Sequence, residues 1–202
     1  MRRKTFISLL VTLSAIALTF SPLLTVSSNA GNDKSTKPIH TIIGANDDGF
    51  IAGDVVNSAV ATLKRSDDGL KVTIHTTDLP PGAYTIWWAV YNYPENCAGP
   101  CGFDDDLSPA VGAFWVNATG KVITNGDQAN FVAHLDADGP FGEILVPGAG
   151  LANPQGAEVQ IVVRYHGVAI PGMIEEQTST FLGGCPDGGA PCQDLQLIVF
   201  QP

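Results

Sequence analysis

Tyr84-Thr85-Ile86-Trp87-Trp88-Ala89-Val90-Tyr91 reads as a β-strand without a polar face. Tyr84, Ile86, Trp88 and Val90 fall on one side, and Thr85, Trp87, Ala89 and Tyr91 on the other. A strand apolar on both sides has to be covered twice, so it belongs inside the fold. Its aromatic density reads as core. Leu79-Pro80-Pro81-Gly82 breaks the chain ahead of it.

Working outward, residues 55–65 form an extended run, Asp67-Asp68-Gly69 is a turn, and Leu70, Val72 and Ile74 alternate with Lys71, Thr73 and His75. That is a β-hairpin. Beyond the aromatic strand, residues 111–117 make another strand, residues 121–124 lead into the hairpin signal Asn125-Gly126, and residues 129–135 return. Residues 138–154 are a Gly/Pro-rich loop with a short extended piece at 144–146. Val159, Ile161, Val163 and Tyr165 alternate with Glu158, Gln160, Arg164 and His166, a strand with one apolar face. Residues 167–191 are broken except for one helical turn around 173–180, and residues 195–200 form a terminal strand. No long stretch repeats with the helical period. The expectation is an all-β fold: an antiparallel β-sandwich of about seven to eight strands with long disulfide-pinned loops, or alternatively a small β-barrel.

The first 30 residues have a different logic. Arg2, Arg3 and Lys4 precede an uncharged apolar run over residues 6–20, and Ser28-Asn29-Ala30 supplies a small-x-small cleavage pattern. Ser8, Thr12, Ser14 and Thr19 dilute the run and Pro22 ends it, short of the roughly 20 apolar residues of a spanning helix. Residues 1–30 are therefore expected to be a secretory signal peptide, 31–38 a flexible leader and 39–202 a single β domain, secreted or held in the periplasm or cell envelope. Removing Arg2, Arg3 and Lys4 leaves seven basic residues against 20 acidic ones, a net charge of −13. Nucleic acid and anionic membranes are poor partners for such a chain, and no membrane insertion is expected after cleavage.

In an oxidising compartment Cys97 with Cys101 and Cys185 with Cys192 read as two short-loop disulfides. Three connectivities are open to four cysteines, and the x3 and x6 spacings do not suit a zinc ribbon. Three acidic clusters follow. Asn46-Asp47-Asp48-Gly49 and Asp67-Asp68-Gly69 read as solvated turns. Asp104, Asp105 and Asp106, beside a cysteine-pinned loop, form the best Ca²⁺ candidate, because adjacent carboxylates repel one another unless a cation or water relieves them. Of the histidines, His75 falls on a polar strand face. His166 ends a strand and opens the segment holding Glu175 and Glu176, which makes an acid–base or metal site with Glu175, Glu176 and His134 the alternative. No catalytic nucleophile motif is present. Asn117-Ala118-Thr119 is a formal glycosylation acceptor.

Leu79-Pro80-Pro81-Gly82 with Tyr84-Thr85, Trp87-Trp88, Asn92, Pro94-Glu95 and Cys97, then His166-Gly167, Pro171-Gly172, Glu176-Gln177, Ser179-Thr180-Phe181 and Gly183-Gly184-Cys185-Pro186, resembles a family of uncharacterised secreted bacterial proteins. The resemblance covers residues 79–202. It implies a bacterial, exported origin and brings no activity, cofactor or catalytic residue with it.

Three functions fit these readings. The first is a non-enzymatic binding module for an unknown extracellular ligand or surface component, ordered by Ca²⁺. The second is a small metal-dependent cell-envelope enzyme centred on His166, which would carry Zn or Cu. The third is a structural or adhesive component of the surface matrix.

Overall fold

The structure, a computed structural model, describes residues 33–125, 128–139, 141–185 and 189–202. The expected signal peptide lies outside the described residues. Nine strands and one short helix follow in chain order: β1 (Asp33–Asn46), β2 (Gly49–Ser66), β3 (Gly69–Thr77), β4 (Gly82–Tyr91), β5 (Ala113–Ile123), β6 (Gln128–Asp136), β7 (Ile144–Val146), β8 (Glu158–Tyr165), α1 (Ile174–Ser179) and β9 (Gln193–Phe200). They make one antiparallel sheet in the order β6-β3-β2-β1-β9-β8-β4-β5-β7, which curls into a half-barrel.

The all-β antiparallel fold stands, with its layers continuous in a single sheet. The curl follows from β4, all ten of whose residues are buried. Tyr84, Ile86, Trp88 and Val90 join Leu63, Val72, Ile74 and Phe131 from the opposite half of the sheet in one core, the interior of the curl. Trp87, Ala89 and Tyr91 point the other way into a second cluster with Trp115, Val162 and Leu197. That outer face is closed by chain from outside the sheet's main body: Phe50 from the β1–β2 hairpin, Phe103 beyond the Cys97–Cys101 loop, and Phe181 after α1.

Three expectations are corrected. Residues 33–38 are strand, not leader, paired from Asp33↔Arg65 to Pro38↔Val60. They are polar because their outer face meets water, and it is the ladder that orders them. Second, β5 and β6 share no ladder among the described residues: β6 pairs with β3, so these two strands, consecutive in the chain, stand far apart in the strand order. There Lys121 on β5 donates to the Asn130 carbonyl and lies 4.7 Å above the Phe131 ring, bridging the seam with a side chain. Third, β8 is buried on both faces, Gln160 and Arg164 included. Polar residues suggested a wet face, but each finds a partner under the outer cover: Gln160 donates to the Cys101 carbonyl at 2.9 Å and to Glu158 at 2.8 Å.

Register shifts between Pro38 and Gly44 bend the β1–β2 hairpin, so its far half leaves the sheet and folds over the outer face. Its tip lies against the Cys97–Cys101 loop, with Asp104 N donating to the Asp47 carbonyl at 3.1 Å. Gly102 is required there, since a Cβ would stand 2.0 Å from the Asp48 carbonyl oxygen. Gly120 allows an equally close approach of Thr178, seating α1 on β5.

Asn92 organises the loops at the end of β4. It is 1 % exposed. Its amide donates to the carbonyls of Gly112 (2.7 Å) and Gly150 (2.9 Å), and its oxygen accepts from the backbone of Ala152 and Asn153. Asn92→Ala leaves four backbone groups without their partner, and urea denaturation is expected to register a loss of about 3 kcal/mol or more. A loss below about 1 kcal/mol would show that those loops hold themselves.

Candidate functional site

The cover over the outer face is incomplete. Between the hairpin tip, the segment after the Cys97–Cys101 loop and the segment after α1 lies a cavity of about 300 Å³, walled by Phe50, Phe103, Trp115 and Phe181, with Asp106 and Asp194 in its lining. A neighbouring cavity of about 400 Å³ shares Phe50 and Asp194 with it and runs on to Arg164 and Cys192.

The walls are held from several directions. Phe50 meets Phe103 edge to face at 5.0 Å, and Trp115 lies within 6.0 Å of both rings. Phe181 stands edge-on to Trp87 at 5.3 Å, and its other contact is the Arg164 guanidinium, 3.7 Å from the ring centre. Arg164 also donates to the Phe181 carbonyl at 3.0 Å and to Asp194 at 2.8 Å, so the charge that stacks on the ring is neutralised beside it. The cysteine pairing is the expected one, Cys97–Cys101 and Cys185–Cys192. Each disulfide closes a loop adjoining one wall.

Asp106 is the group this cavity sets apart. Its Oδ1 accepts from Trp115 Nε1 at 2.8 Å and from the Tyr91 hydroxyl at 3.3 Å, while Oδ2 takes no hydrogen bond from the described residues. Desolvation pushes its carboxyl up to about 6. The Trp115 and Tyr91 hydrogen bonds restrain the rise and the charge of Asp105 adds to it. The same burial, with the Asp106 charge adding to it, pushes the Tyr91 phenol up.

The acidic triplet does not converge as a cation site. Asp105 turns back to accept from Gly102 N at 3.0 Å, Asp106 faces Trp115, and Asp104 is exposed. Asp104 and Asp105 lie on a single 3-10 turn (Phe103–Asp105) and Asp106 caps its end, which spreads the three side chains around an axis. Nor does the second set meet. His166 is fully buried, Glu175 and Glu176 are exposed on α1, and His134 is exposed on β6, at the far end of the strand order. It is Gln177, not either glutamate, that turns inward and donates to the His166 carbonyl.

His166 is spoken for. Thr85 Oγ1 accepts from Trp87 Nε1 at 2.8 Å and hands its own hydrogen to His166 Nε2 at 2.7 Å; His166 Nδ1 then donates to the Gly183 carbonyl at 2.9 Å. Burial pulls its pKa down to about 4. The Gly183 bond opposes that fall and Arg164 furthers it. Among the described residues, the groups of side chains close enough to hold a metal are His166 with Cys185 and Cys192, and Cys97 with Cys101 and Asp105. Each contains a disulfide, whose sulfurs are not thiolates. The Asn117 amide nitrogen is buried without a hydrogen-bond partner, so the glycosylation acceptor is closed in the folded chain.

None of the cavity's aromatic walls was legible as a site residue, because Phe50, Phe103 and Phe181 lie in segments with no period of their own. Asp106 was found, for a different chemistry. No family model, no curated protein and no solved structure matches the chain. Among the described residues no helix is long and apolar enough to cross a membrane.

Two opposed pH effects follow. Asp106 binds its proton more tightly folded than unfolded, so its contribution to stability falls as pH rises from about 4 to about 6. His166 binds its proton less tightly folded, so its contribution is complete above about 6.5 and is lost as pH falls towards 4. Asp106→Asn keeps an acceptor for Trp115 and Tyr91. Its melting temperature is expected to exceed that of the parent above pH 6, and the gap to close towards pH 4, leaving a steeper acid limb. A gap independent of pH would remove Asp106 from the desolvated site.

Proposed function

We propose that the chain is an exported, non-enzymatic binding module whose ligand is a small organic molecule with an apolar body and a cationic head, held in the cavity under the hairpin tip. One observation carries the reading: four aromatic rings and a desolvated carboxylate with an unused oxygen line a single cavity whose walls are fastened by disulfide loops. Ring faces attract cations and the rest of an organic ammonium ion favours the apolar walls. At neutral pH Asp106 is ionised with no cation of the described residues paired to it, and an ammonium head supplies that cation. Rigid walls lower the ordering cost of binding. Both ring nitrogens of His166 are hydrogen-bonded within the fold, which favours this reading over a metal enzyme centred there.

Trp115 reports occupancy. Benzyltrimethylammonium is expected to change the tryptophan fluorescence saturably and to bind about tenfold tighter than its uncharged carbon isostere, a difference of about 1.4 kcal/mol. Asp106→Asn should abolish that preference while leaving the isostere's affinity in place, and Phe103→Ala should weaken both. Absence of saturable binding by either probe would sink the proposal.

A further inference from the structure

The other half of the sheet carries a second feature, which sequence order conceals. The register places Lys34 of β1 opposite Lys64 of β2, Lys64 opposite Lys71 of β3, and Lys71 opposite His134 of β6. Four basic side chains thus form one row across four adjacent strands, all exposed. At the spacing of neighbouring strands the row is about 14 Å long. Sequence gave no sign of a basic patch, because these residues are separated by 30, 7 and 63 positions.

The row is costly where it stands. Like charges directly opposite one another in a ladder destabilise it. Among the described residues none of the three lysines is ion-paired, although Asp68 and Asp136 join Lys64, Lys71 and His134 in lining a hollow of about 200 Å³. Only seven basic residues follow residue 30, against 20 acidic ones, and three of the seven are spent on this row. Beside it runs a second row, Thr36, Thr62, Thr73 and Val132, in the same register, with Thr36 and Thr62 joined by their hydroxyls at 3.0 Å.

We propose that this face binds an extended acidic polysaccharide, one chain lying across the strands with its anionic groups over Lys34, Lys64, Lys71 and His134. A linear array of cations at strand spacing matches a linear polyanion, and the threonine row offers hydroxyls to a sugar chain's own hydroxyls. The same protein repels broad anionic surfaces through its net charge, so a single strand with one charge per sugar is the polyanion it tolerates best. Carboxylate and sulfate groups share this chemistry, and the test separates them. The site is independent of the aromatic cavity.

The test uses the full chain and four kinds of probe: a linear oligogalacturonate, a sulfated heparin-type oligosaccharide, a neutral oligosaccharide of matched length, and single-stranded DNA with anionic vesicles as other polyanions. Binding of one or both acidic oligosaccharides is expected, weakening about tenfold between about 50 and 200 mM salt. Combining Lys34→Gln, Lys64→Gln and Lys71→Gln should abolish it, while Asp106→Asn leaves it unchanged. The three lysines are exposed, so circular dichroism and the melting temperature will show that the triple variant keeps the fold. Equal binding of the neutral sugar, undiminished binding by the folded triple variant, tighter binding to DNA or vesicles, or no binding to either acidic sugar at low salt would each overturn the proposal.

Discussion

A strand that is apolar on both faces cannot be stabilised by one layer, and the rest of the molecule answers to that constraint. Inside, the sheet bends until β2, β3 and β6 stand over Tyr84, Ile86, Trp88 and Val90. Outside, among the described residues, no second sheet covers Trp87, Ala89 and Tyr91, so a bent hairpin and two irregular segments take its place. Irregular chain makes a poor roof unless something reduces its freedom, and here that is done by two disulfides, a bent hairpin and polar side chains such as Gln160 and Arg164 that tie backbone carbonyls down. A roof assembled from loops also fits less tightly than a sheet, and the aromatic cavity is the space left over.

What could be read from sequence was whatever had a local period or a local constraint. The alternation in Leu70, Val72 and Ile74, the two-sided strand β4, the single helical turn and both cysteine pairs are of that kind. What escaped depends on partners far along the chain. Residues 33–38 have no apolar pattern and become strand only because 60–65 lie beside them. The polar face of β8 looked wet because the segments that cover it are distant and aperiodic. His166 and Asp106 stand out by their chemistry, but their neighbours come from elsewhere in the chain: a threonine and a carbonyl meet the imidazole in place of the expected glutamates, and an indole meets the carboxylate.

The two halves of the sheet therefore present opposite outer surfaces. Around β4, β5, β8 and β9 the outside is roofed and aromatic. Across β1, β2, β3 and β6 it is open and lined by rows of lysine and threonine that only register assembles. One sheet can hold both because side-chain alternation keeps the inner face of each half mostly apolar while leaving the outer face free to differ.

The strand order also sets a timetable. The halves meet where β9 lies between β1 and β8, joined to β1 only through His40↔Leu197 and Thr41↔Gln196, so the first described strand waits for the last. Until residues near Phe200 have been synthesised the sheet has no continuity, and the tryptophans of β4 lack one side of their shelter. Such long-range closure is slow compared with hairpin formation. A chain built this way holds its first strands without their final neighbour until β9 arrives, and in that interval it depends on being kept from aggregation.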